Sequence, residues 1–197
     1  MPDRIMGPAR LEAFSDGVIA IIITIMVLDL RVPASHAPAA LLDLWPVFLA
    51  YVMSYLVIAI YWVNHHELFH LCKRVTNAVL WTNILFLFCL SLIPFATAYM
   101  GVNRFTPFST ALYGAVLLLT GLAFLPMRQA VASQLADDPA YRLITRRAAI
   151  KNYVSLTLYG TSVPLAFVHP AITLAIAFVV AAIYFLPDAW LGKRKTR

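Results

Sequence analysis

Residues 10–30 read RLEAFSDGVIAIIITIMVLDL, an apolar run with Glu12, Asp16 and Asp29 in or beside it. Crossing the hydrocarbon of a bilayer takes about 20 apolar residues in a helix, so this run is long enough. An acid at the centre of such a helix costs roughly 3 kcal/mol on insertion scales. The helix therefore needs a partner for its acids or a function that uses them. It is expected to face protein or water rather than lipid.

The rest of the chain has the same character. Of 197 residues, 62% are hydrophobic and 12% are charged, and the mean hydropathy is +0.81. Soluble domains are nearer half apolar and a quarter charged. The chain reads as an all-α integral membrane protein, because its runs are too long and continuous for barrel strands. Six spans are expected, at about 11–31, 45–69, 78–100, 108–127, 148–168 and 171–190. They form one transmembrane domain over residues 1–197, with no room for a soluble domain. Breakers mark the joints: Pro33, Pro38 and Pro46, then Gly101 and Pro107, then Asp138-Pro139, then His169-Pro170.

The net charge is +6, yet the basic residues sit in short flanks between apolar runs. Topology and lipid headgroups account for them better than a nucleic-acid partner does. With the N-terminus inside, the cytoplasmic segments hold Arg4, Arg10, Lys73, Arg74, Arg128, Arg142, Arg146, Arg147, Lys151, Lys193, Arg194, Lys195 and Arg197. The opposite side holds only Arg31 and Arg104. This bias places both termini in the cytoplasm and requires an even number of spans. A rival reading takes the N-terminus as a signal peptide cleaved near Ala34-Ser-His-Ala37, but secretory cores avoid acids such as Glu12, Asp16 and Asp29. Cys72 and Cys89 are expected to be reduced packing residues.

At 100° per residue, Arg10, Phe14, Gly17, Ile21, Thr24, Ile25 and Leu28 fall on one stripe of the first helix, and Asp16 falls almost opposite. Two readings stay open. One is a packed helix whose Asp16 is tied to a neighbour. The other is a pore-lining stripe with Asp16 locking the helix from behind. In the second span Trp62, His66 and Phe69 share a face, and His66 and His70 stand at i, i+4, a spacing that can bind a metal. No obvious third and fourth ligands accompany them, so no metal is expected and a hydrogen-bonded partner for the first helix is favoured. A haem site or a proton relay through His65 and His66 is a weaker option. In the third span Asn83 points to a bond between helices. The hydroxyls of Ser155, Thr157, Thr161 and Ser162 in the fifth are expected to bond back to their own helix.

Arg10-x-x-x-Phe14-Ser15-Asp16, followed by Gly-Val-Ile-Ala-Ile-x-x-Thr, resembles the signature of the transmembrane protein 175 family, potassium channels of endosomes and lysosomes with bacterial relatives. Tyr61-Trp62-x-Asn64-His65-His66-x-Leu68-Phe69, Leu80-Trp81-x-Asn83 and Leu92-Ile93-Pro94-Phe95 resemble the family's second and third helices. The likeness covers about residues 10–100. The animal proteins carry two six-helix repeats and this chain one, as the bacterial relatives do. The resemblance implies a homotetramer with the first helices around a central pore, in a prokaryotic plasma membrane. It implies a hydrophobic constriction at Ile21, with lower apolar layers at Ile25 and Leu28, and a role in potassium preference for Thr24. It also implies a polar network drawn from Arg10, Ser15, Asp16, one of His65 or His66, and Trp81 or Asn83. Ile25 departs from the leucine common in bacterial members.

The function expected is passive potassium conduction, without cofactor or enzymatic chemistry. The alternative is a proton-coupled carrier using Asp16 and the histidines. A third and weaker reading is a metal protein or membrane enzyme built on His65, His66 and His70.

Overall fold

A computed structural model describes residues 7–135 and 139–185, and every regular element among them is helical. The elements are α1 (Pro8–Ile25), α2 (Pro38–Leu42), α3 (Trp45–His70), α4 (Asn77–Leu90), α5 (Ile93–Val102), α6 (Pro107–Ala132), α7 (Pro139–Leu165) and α8 (Pro170–Phe185). Among the described residues, four stretches are long and apolar enough to cross a membrane: Pro8–Asp29, Trp45–His70, Asn77–Val102 and Pro107–Leu135. Pro170–Phe185 is a shorter apolar helix. Arg4, the basic residues at 193–197 and the last five residues of the expected sixth span lie outside the described residues.

Pro38, Pro46, Pro107, Pro139 and Pro170, which mark joints in the sequence, lie at helix starts, and Pro8 and Pro94 open helices too. Pro8, Pro38, Pro46, Pro94 and Pro107 all sit at the first or second helical position, where a missing N–H is harmless and φ is already helical. Thr76 caps α4, its hydroxyl accepting from Val79 N at 3.3 Å.

Several boundaries differ from the sequence reading. The fifth span, expected at 148–168, lies in α7, which begins at Pro139 and ends at Leu165. The first span is α-helical only to Ile25 and tightens into a 3-10 turn over Met26–Asp29, so Leu28 leaves the regular stripe. The third span is broken at Ser91–Leu92, because Pro94 cannot donate to Leu90 O and its ring crowds that carbonyl. The fourth runs through Pro126 to Ala132 instead of stopping at 127. Proline is tolerated inside such helices where neighbours satisfy the freed carbonyl. Gly101 is no breaker. It lies within α5, where a Cβ would come within 2.9 Å of Val47 Cα, so the glycine lets α5 approach the start of α3. The turn that follows is made by Arg104 and Phe105, at φ 47° and 57°.

α6 is the central helix, packed against α4, α5, α7 and α8. α1 is peripheral and leans on α3 and α4. Hydroxyls tie the interior together. Thr97 Oγ1 lies 2.7 Å from Ser54 Oγ, which lies 3.0 Å from Tyr113 Oη, joining α5, α3 and α6. Ser155, Thr157, Thr161 and Ser162 donate to carbonyls of α7 itself, at Lys151, Tyr153, Leu158 and Tyr159. Cys72 and Cys89 are buried free thiols, and burial pushes the Cys72 thiol up, so it stays protonated.

Successive long passes alternate in direction. The turn after α3 is held to the end of α6, with Arg74 N donating to Gln134 Oε1 at 3.1 Å and Gln134 Nε2 to Arg74 O at 3.0 Å. At the other end Trp45 meets Phe105, ring centres 5.7 Å apart. Arg10, Lys73, Arg74 and Arg128 thus share one end of the bundle, and Arg31 and Arg104 the other.

Candidate functional site: the first helix and its anchors

α1 has two unlike faces. Leu11, Ser15, Ile19, Ile22 and then Met26 are buried against the chain. The opposite face is uncovered: Phe14 is 57% exposed, Ile21 58%, Ile25 48% and Leu28 75%, with Gly17, Ala20 and Thr24 exposed between them. An uncovered row of large apolar side chains is a surface made for something other than water. Thr24 is the polar member. Its Oγ1 donates to Ala20 O at 2.9 Å or Ile21 O at 3.0 Å. The proton is thus turned back into the helix, and the oxygen lone pairs are left to face outward.

The covered side is fixed by polar contacts in two tiers. The inner tier is wholly buried. Asn83 Nδ2 donates to Ser15 Oγ at 2.9 Å, and Asn83 Oδ1 lies 2.8 Å from His65 Nε2. A carbonyl oxygen can only accept, so His65 carries its proton on Nε2. The ring stacks between Phe69 and Phe86, with centres 4.4 and 5.9 Å away. Ser15 also donates to Leu11 O at 2.9 Å.

The outer tier runs along α1 and α3. Trp62 Nε1 donates to Asp16 Oδ1 at 2.9 Å, and His66 Nδ1 lies 2.8 Å from Glu12 Oε1. The two pairs step four residues up one helix and four down the other, which is the register of antiparallel neighbours. Trp62 and His66 stack at 5.7 Å, and His66 meets His70 edge-on at 4.3 Å.

The structure therefore sorts the network candidates. Ser15, His65 and Asn83 come together, and Asp16 is held apart from them by Trp62. His66 joins Glu12 instead. Trp81 is 67% exposed and on the wrong side of α4 to take part. Arg10 is exposed and makes no side-chain hydrogen bond or ion pair among the described residues. Two participants were missed from sequence, Trp62 as the donor to Asp16 and Glu12 as the partner of His66. The signal was present in the matched i, i+4 spacing of Glu12/Asp16 and Trp62/His66. One expectation needs correcting as well. His66 and His70 do have a third metal-type donor, since α1 brings Glu12 to them and one ligand atom of each lies within 4.8 Å of the others.

This arrangement can be set beside known proteins. The family model of the endosomal/lysosomal potassium channel TMEM175 matches residues 10–94, the segment that holds α1, both tiers and the Pro94 break. A Chryseobacterium protein named as a potassium channel is 38% identical over 188 residues, covering 95% of this chain and 97% of its own. The chain belongs to the TMEM175 family. Human TMEM175, named as an endosomal/lysosomal proton channel, is 36% identical over 46% of this chain and 20% of its own length. The crystal structure of a lysosomal potassium-selective TMEM175 homologue from Chamaesiphon minutus superposes with a TM-score of 0.78 at 29% identity. That match covers 90% of this chain and 95% of the other. The stretch matched by the family model thus takes in most of α1 and the side chains that hold it. The relatives are named channels, not enzymes.

Proposed function

We propose that this chain is a potassium-selective channel that conducts passively, with α1 lining a central pore in an assembly of four copies. The observation that carries the reading is the two-faced α1. One side is anchored by Ser15, Asp16 and their partners. The other leaves Ile21, Thr24, Ile25 and Leu28 uncovered by the rest of the chain. Residues 1–197 form one domain of six spans in a prokaryotic plasma membrane, with both termini cytoplasmic. The sharing of one bundle end by Arg10, Lys73, Arg74 and Arg128 supports that orientation.

The mechanism follows from side-chain chemistry. Four Ile21 side chains form a constriction that gates by dewetting. Ile25 and Leu28 extend the apolar throat. Apolar rings offer nothing in place of lost hydration, so discrimination falls to four Thr24 oxygens, whose lone pairs are the ones left outward by the helix. No resident cofactor is required, and the permeant ion is K+.

Recording from the purified protein in planar bilayers under asymmetric K+ and Na+ tests this. The expected result is unitary currents reversing near the potassium potential without a proton gradient. Saturable flux that stops when the pH gradient collapses would instead establish the proton-coupled carrier, with Asp16 and the histidines as relay.

A further inference from the structure

Where α1 meets the last turn of α3, we infer that Glu12, His66 and His70 form a binding site for a divalent transition metal of the zinc class. Two imidazoles stand on one helix at i, i+4, with rings 4.3 Å apart. A carboxylate enters from a different helix. One donor atom of each residue lies within 4.8 Å of the others. A tetrahedral zinc with bonds of about 2.0–2.1 Å holds its ligand atoms roughly 3.3 Å apart, so small side-chain rotations suffice to close the site.

The Glu12–His66 contact by itself does not satisfy these groups. Glu12 Oε1 and His66 Nδ1 approach to 2.8 Å, yet the approach misses hydrogen-bond geometry, and among the described residues neither shielded atom has another partner. Buried donor atoms in that condition are uncommon and call for an explanation. A cation between them supplies one, because lone pairs of the imidazoles and the carboxylate then all point at the same charge. The donor set is two nitrogens and one oxygen. It suits Zn2+, Co2+ or Ni2+ and disfavours Ca2+ and Mg2+, which take more oxygen ligands. Three protein ligands leave a fourth position for water. Access runs from His70, which is exposed.

The site's placement gives it a consequence. It joins α1 to α3 one turn from the Asp16–Trp62 bond, so a bound metal clamps the proposed pore helix to its neighbour. It is separate from Thr24 and Ile21, which lie on the uncovered face.

The test is a Co2+ titration of the full, tag-free chain in detergent, read by visible absorption, with Zn2+ competition. One tetrahedral Co2+ per chain, displaced by Zn2+, is the expected result. His70→Ala and Glu12→Gln should each weaken binding more than about tenfold. His169→Ala, at a distant turn, should leave it unchanged. His70→Cys should keep the metal and add a thiolate-to-cobalt charge-transfer band. His70 is exposed, so these variants should elute as wild type on size exclusion. If the Glu12–His66 pair is only an ion pair, His70→Ala is silent, and that outcome overturns the site. So does cobalt binding that survives His66→Ala combined with His70→Ala, or wild-type protein that gives no tetrahedral spectrum. Every readout is metal binding, so failure to conduct potassium would sink the channel reading without touching this one.

Discussion

α1 and α6 are both long apolar helices, and the chain treats them in opposite ways. In α6, 61% of the most apolar window is buried within the protein, and in α1 only 28%. Each carries a threonine that bonds back to its own helix. Thr120 donates to Val116 O at 2.8 Å and is fully buried, whereas Thr24 donates to Ala20 O at 2.9 Å and is exposed. The same local chemistry is a packing device in one helix and an outward-facing row of lone pairs in the other. The packing of α6 is complete within one chain. That of α1 is complete on one face only, and the proposed assembly of four copies would finish it.

The comparison breaks most visibly through core truncation. Leu117 is fully buried in α6, so Leu117→Ala should lower stability by about 2–5 kcal/mol. Ile21→Ala, on the uncovered face, should leave protomer unfolding within about 0.5 kcal/mol of wild type. Thermal unfolding of both variants in detergent, with size exclusion to follow assembly, checks this. Equal destabilisation of the protomer would mean that the Ile21 face packs within the chain.

Next in size is the inner tier. Asn83→Leu removes the partner shared by Ser15 and His65; Ser15 keeps its bond to Leu11 O, and the buried His65 N–H left unpaired costs about 1–3 kcal/mol. Trp81→Leu, two residues away and exposed, should stay near wild type. A matched loss in both variants would show that α4 is sensitive as a whole and that Asn83 has no special role. Trp62→Phe is the milder change. It keeps the ring and removes the donor to Asp16, and the pair is partly exposed, so the loss should be about 1 kcal/mol. Because Asp16 points away from the open stripe, ion preference should hold while stability falls. Normal stability with altered selectivity would put Asp16 on the pore side.

The membership of the stripe was legible from sequence because helical periodicity needs no knowledge of neighbours, whereas periodicity alone leaves two readings open on whether the stripe is covered. The approximate place of the first four apolar runs, and of the shorter one at Pro170–Phe185, was legible too. What could not be read was pairing. Sequence placed His65 and His66 side by side, and only the orientation of α3 sends one to Asn83 and the other to Glu12. Trp81 and Asn83 are two residues apart, about half a turn of α4, so only one of them can face α1. The hydroxyl ladder of Ser54, Thr97 and Tyr113 draws on three helices and carries no local signal. Gly101 looked like a breaker because glycine has that propensity. Its actual use, letting α5 touch Val47, depends on tertiary approach. Arg104 and Phe105 in left-handed geometry have no sequence cue at all.

The smallest energetic change bears most directly on function. Thr24→Val keeps the shape of the side chain and removes the oxygen, and Thr24 is exposed, so folding should hardly respond. If four Thr24 oxygens replace part of the ion's hydration, the potassium-to-sodium permeability ratio should fall. A loss of about 1.4 kcal/mol in discrimination is a tenfold change in that ratio, easily read as a shift in reversal potential under bi-ionic conditions. Ile21→Asn is the companion measurement. It places four hydrogen-bonding groups at the proposed constriction, holds water there, and should raise conductance without a large change in the ratio. The two variants divide the labour between rings one turn apart. If Thr24→Val leaves the ratio untouched, selection by hydroxyl oxygens is wrong even though the pore reading survives. If Ile21→Asn also conducts no better than wild type, the uncovered face of α1 does not line the pore. The incompleteness that separates α1 from α6 would then have to be met by lipid or by a packing contact between copies.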